Sequence, residues 1–83
     1  MRYVYIGFFT LTDAQRARDI LERRSIRSRV ARMPSGPGVS CAFGLKLPGE
    51  YTDKAREVIT ESGMRMGKTV YRRENGDHTH DLL

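Results

Sequence analysis

The chain has 83 residues, 15 Lys+Arg against 10 Asp+Glu, and a formal net charge of +5. That length makes one small domain with one core, and 39% hydrophobic with 30% charged residues suits a globular chain better than a disordered one. No run approaches the ~18 apolar residues of a membrane span, no small-residue cleavage site follows Met1-Arg2 to mark a signal peptide, and the single cysteine, Cys41, excludes an internal disulfide or an all-cysteine metal cage.

Tyr3 to Phe9 is β-branched and aromatic apart from Gly7, which predicts a strand. Thr12-Asp13-Ala14-Gln15 has the form of a capping box. Ala14, Ala17, Ile20 and Leu21 then gather on one side of a helix of about three turns. Ile26 to Arg32 alternates, with Ile26, Ser28 and Val30 opposite Arg27, Arg29 and Ala31, as in a charged edge strand. Pro34, Gly36, Pro37 and Gly38 make Met33 to Val39 a loop. Ser40 to Leu47 predicts a third strand, stopped by Pro48-Gly49. Thr52-Asp53 opens a second helix, with Ala55, Val58 and Ile59 as its apolar stripe and Gly63 as its left-handed end. Lys68 to Arg73 predicts a fourth strand. Residues 1–74 therefore read as one domain and 75–83 as a polar tail.

The order β-α-β-β-α-β predicts an α+β fold of the ferredoxin-like kind, a four-stranded antiparallel sheet with both helices on one face. Right-handed crossovers place strands one and three in the centre. If Val4, Ile6 and Phe8 point to the helices, Tyr3, Tyr5, Gly7 and Phe9 point away, together with Arg27, Arg29, Ala42, Gly44 and Lys46. The charge is uneven in a related way: residues 1–32 hold eight arginines against three acids, while residues 33–83 balance.

Such a face raises nucleic acid as a partner through Tyr3, Tyr5, Arg27, Arg29 and Lys46. Val4-Tyr5-Ile6-Gly7 looks like the first strand of an RNA-recognition motif. The companion motif fails, however. With Phe43 aligned to its second aromatic, Cys41 stands where the first should be and Val39 where a basic residue should be. A solvated face, or a contact in a homodimer or other non-catalytic interaction module, ranks ahead of RNA.

Cys41 has two readings. As a small hydrophobe it is in phase with Phe43 and Leu45, on the core side of its strand. Alternatively, the turn of Gly36-Pro37-Gly38 exposes it as a reactive thiol, with Arg29, Arg32 and Lys46 as neighbouring cations that favour a thiolate. Acyl-transfer chemistry needs a histidine beside the thiol, and the only histidines, His78 and His80, fall in the tail. With Asp77 or Asp81 they would form at most a weak metal site, so neither metal nor cofactor is assigned. Gly36, Gly38 and Gly44 lack the spacing of a phosphate-binding loop.

The chain resembles the small bacterial proteins described as selenium/sulfur carrier-like. The resemblance rests on Tyr3-Val4-Tyr5-Ile6, the helix from Ala14 to Arg24 and the turn Arg32-Met33-Pro34. It continues through Ser40-Cys41, Phe43-Gly44-Leu45-Lys46 and Ala55-Arg56-Glu57-Val58-Ile59 up to Gly63. Ala42 stands where the family has glycine after the cysteine. The resemblance implies a carrier that holds sulfur or selenium on Cys41 as a persulfide or selenosulfide, and the single cysteine makes the cytoplasm the default compartment. Arg29, Arg32 or Lys46 would stabilise the anion, and Ser40 with loop amides would donate hydrogen bonds. The implied partners are donor and acceptor proteins, cysteine desulfurase-like and sulfurtransferase-like. The chain itself would be at most a sulfurtransferase partner.

Overall fold

The computed structural model describes residues 2–73. Its elements run β1 (Arg2–Phe8), α1 (Leu11–Arg23), β2 (Arg29–Arg32), β3 (Phe43–Pro48), a 3₁₀ turn (Gly49–Tyr51), α2 (Thr52–Glu61) and β4 (Thr69–Arg73). The four strands form one antiparallel sheet in the order β2-β3-β1-β4, so β1 and β3 lie inside. The fold is α+β.

Alternation along β1 sends Val4, Ile6 and Phe8 to one face, where they meet Leu45 and Leu47 of β3. Ala14, Ala17 and Leu21 of α1 and Ala55, Val58 and Ile59 of α2 complete that core, so both helices cover the same side. Small residues on the helices let them come close to the sheet and to each other.

Both helices end alike. Past α2, the Met64 amide donates to the Ile59 carbonyl and the Gly63 amide to the Thr60 carbonyl, with Gly63 at φ +78°. Past α1, the Ile26 amide donates to the Leu21 carbonyl and the Ser25 amide to the Glu22 carbonyl, with Ser25 at φ 62°. This paired bonding takes up the last free carbonyls of a helix through a left-handed residue. Serine fills the place of glycine after α1.

Three sequence expectations move as a result. Ile26 is consumed by the helix end and is buried there, so β2 begins at Arg29 rather than Ile26. The α1 cap is Thr10, not Thr12: Thr10 is extended, and its hydroxyl accepts from the Asp13 amide at 3.0 Å. Thr12 already lies inside the helix. Finally, β3 begins at Phe43 and not Ser40, which frees Cys41 from the strand's alternation.

Candidate functional site

A second, smaller cluster occupies the sheet face away from the helices. Tyr5, Ala31 and Met33 are buried in it, and Tyr3, Val39, Cys41 and Val70 pack against them half-buried. The face expected to be open is therefore partly roofed by the loop between β2 and β3. Tyr5 points away from the helices as expected, yet it is only 4% exposed.

Glycines explain how the loop sits so low. Gly7 of β1 pairs with Gly44 of β3, and the Gly67 amide donates to the Gly7 carbonyl at 2.7 Å. The Gly7 amide in turn donates to the Lys68 carbonyl at 2.9 Å. The three glycines thus form a shallow trench across the sheet, to which they themselves contribute no side chain. Two sulfur-bearing residues lie in that trench. A Cβ on Gly44 would stand 2.5 Å from the Met33 Sδ and 2.5 Å from the Ile6 carbonyl oxygen. One on Gly67 would stand 2.5 Å from the Cys41 Sγ, and one on Gly7 would stand 3.2 Å from it. No other residue type fits at Gly44 or Gly67 without displacing a sulfur.

The cysteine is thus neither on the helix-side core face nor fully exposed. It rests half-buried on backbone, as a free thiol. The Met33 amide donates to the Ala42 carbonyl at 2.9 Å, which closes the loop's base. Farther out, the Val39 amide donates to the Gly36 carbonyl at 3.1 Å and Gly38 takes φ +78°. Lys68 packs across Gly38 and donates to the Pro37 carbonyl at 3.3 Å. The loop is held to the β4 side of the sheet by that side chain. Ser40, beside the cysteine, is exposed.

The three cations expected around Cys41 occupy three different settings. Lys46 is buried, its ammonium 4.4 Å from the centre of the Tyr3 ring and 5.7 Å from that of Tyr5. The tyrosines are therefore faces for a lysine. Arg29 pairs with Lys46 across β2 and β3, at the end of the sheet away from Gly44. Arg32 follows Ala31, so alternation turns it to the helix side with Val30. Arg27 is exposed just before β2. The cation that meets the cysteine loop is Lys68, a residue that sequence reasoning placed only in a strand.

A family model described as "Putative Se/S carrier protein-like" matches residues 3–71. The chain belongs to that family. The matched span contains both glycine-supported sulfur positions, the loop, all of β2 and β3, and most of β1 and β4 of this Se/S carrier-like chain. No curated protein and no solved structure matches it. Among the described residues, no helix is long and apolar enough to cross a membrane, and no group of His, Cys, Asp and Glu is placed to hold a metal ion. His78, His80, Asp77 and Asp81 lie outside the described residues.

Proposed function

We propose that this protein is a sulfur or selenium carrier in which Cys41 holds the transferred atom. The observation that carries the proposal is the seat of the sulfur: Cys41 is half-buried in the loop between β2 and β3, with Sγ on a floor of glycine backbone instead of inside the helix-side core. Family membership supports the same reading. So does the sheet order with both helices on one side, which fits a ferredoxin-like arrangement whose other face is left for partners.

The chemistry conserves atoms and needs no external oxidant. The Cys41 thiolate attacks the outer sulfur of a donor cysteine persulfide. A bond forms between Sγ and that sulfur, the donor's S–S bond breaks, and the donor leaves as a thiolate that takes up the proton released by Cys41. Selenium follows the same course from a donor selenosulfide. An acceptor thiol or other nucleophile then attacks the outer atom and returns Cys41 to the thiol. No second cysteine is needed in the chain.

The trench limits where the outer atom goes. With backbone beneath Sγ, an added atom has to extend away from that floor, on the side where the neighbouring Ser40 is exposed. The cation nearest in the fold to the cysteine's loop is Lys68, held at the Pro37 carbonyl, and Arg29 and Lys46 lie farther along the same face. Phe9, two residues past Gly7 and 61% exposed, offers an apolar contact for a donor or acceptor protein. A reducing compartment such as the cytoplasm suits a free thiol of this kind.

The test is intact-mass measurement after incubation with a cysteine desulfurase and cysteine. The wild type gains one sulfur, dithiothreitol removes it, and Cys41→Ser gains none. Absence of the adduct, or equal labelling of Cys41→Ser, overturns the carrier assignment.

A further inference from the structure

At the other end of the same sheet, β2 stops at Arg29 while β3 continues to Pro48. The shortfall leaves a notch beside α1. It opens into a cleft of about 660 Å³ lined by Arg18, Glu22, Arg27, Ser28, Arg29 and Lys46. Tyr3, Leu47 and Pro48 supply its apolar wall. Four cations thus face one carboxylate across a concave surface. From Gly7 to Tyr3 is four residues of strand, so the cleft lies about 13 Å from the cysteine floor.

We propose that this cleft binds a small phosphomonoester of mononucleotide size. Three arginines line it, and a planar fork of donors matches the oxygens of a phosphate. A single carboxylate can occupy one such fork; a phosphate dianion offers three terminal oxygens to several. Lys46 is buried against Tyr3 and acts through its charge at the floor of the cleft. Arg27 and Arg29 are exposed and make the direct contacts. Arg18 is already paired with Asp19 at 3.3 Å, so it contributes less than the other two arginines. The volume exceeds what bare phosphate fills and falls within the range of small-molecule sites, about 300–1,000 Å³. The apolar wall takes the organic part, and Glu22 is placed to accept from a hydroxyl or amino group on it.

Ser28 gives an independent reason to expect a ligand. Its Oγ is sealed from solvent and meets no hydrogen-bond partner among the described residues. A buried hydroxyl without a partner is disfavoured. Ser28 also lines the cleft, and a change of staggered side-chain position on binding would let its hydroxyl donate to a phosphate oxygen there. The ligand satisfies a group that the free protein leaves unsatisfied.

Titration of the full chain with AMP, with adenosine and with inorganic phosphate, followed by amide NMR and calorimetry, tests the proposal. AMP is expected to shift the amides of residues 27–29 and 46–48 and to bind at least about tenfold more tightly than adenosine, the difference shrinking at high salt. Arg27→Ala with Arg29→Ala weakens AMP by about tenfold or more, and Ser28→Ala weakens it by a few fold. Cys41→Ser binds AMP as the wild type does, so this result stands apart from the carrier assignment. Both arginines are exposed, and an unchanged amide spectrum elsewhere verifies that their variants fold. Equal binding of AMP and adenosine, undiminished binding by the double variant, or binding of single-stranded RNA without binding of AMP overturns the proposal.

Discussion

The two faces of the sheet are packed by opposite means. On the helix side, Phe8, Ile6, Leu21, Leu45, Leu47 and Ile59 are large, branched or aromatic, and nearly inaccessible. Stability there comes from filling volume. On the other side, the decisive residues are Gly7, Gly44 and Gly67, which contribute by leaving space for Met33 and Cys41. A core made of side chains suffers most from deletion. A floor made of missing side chains suffers most from addition. The first arrangement sets whether the chain folds; the second sets where one sulfur sits.

Phe8→Ala should therefore produce the largest effect, a loss of about 3–5 kcal/mol in urea denaturation. That is a large part of the about 5–15 kcal/mol available to a small domain. A loss below about 1 kcal/mol would mean that the helix-side core does not carry the fold, and the contrast between the faces would collapse. Gly67→Ala comes next, at about 1–3 kcal/mol, because the new methyl collides with the Cys41 sulfur. Its distinguishing mark is chemical. Alkylation of Cys41 by iodoacetamide should accelerate as the sulfur is pushed outward. Gly63→Ala is the control: it strains a left-handed residue but meets nothing within 4 Å, so it lowers stability by about 1 kcal/mol and leaves the alkylation rate alone. Equal rates in both variants would remove the floor's special role.

Most of the helix-side face was legible because it obeys two simple periods. Val4, Ile6 and Phe8 repeat every second residue, and the buried helical positions recur at three and four. The other face was harder because its pattern depends on neighbours distant in sequence. Gly7 and Gly44 could be placed on that side by alternation, but Gly67 is called under the sulfur only by its bond to the Gly7 carbonyl. No local motif announces that contact. Cys41 misled for a related reason. It stands two residues before Phe43, and extending the strand back to Ser40 assigns it the wrong face. Ser25 shows the same limit on a smaller scale: a serine in the left-handed region ends α1, and only the paired bonds to Leu21 and Glu22 reveal it. Lys68 reads as the start of a strand, yet its side chain reaches back 31 positions to Pro37.

That lysine gives the smallest prediction and the finest test of the contrast. Lys68→Met retains the aliphatic stem over Gly38 but removes the ammonium that donates to the Pro37 carbonyl. The bond is exposed, so global stability should change by no more than about 0.5 kcal/mol. Its local effect should be larger than its global one, since a loop opens with far less free energy than the whole domain. The Val39 amide, bonded to Gly36 within the same loop, should exchange with solvent severalfold faster, while amides of Val4 and Ile6 stay at the wild-type rate. If Val39 and Ile6 change together, the loop and the core open as one unit and Lys68 is no more than a surface contact. If Val39 alone accelerates, the cover over the sulfur moves independently of the fold beneath it, which is the property a carrier needs to take up an atom and release it without unfolding.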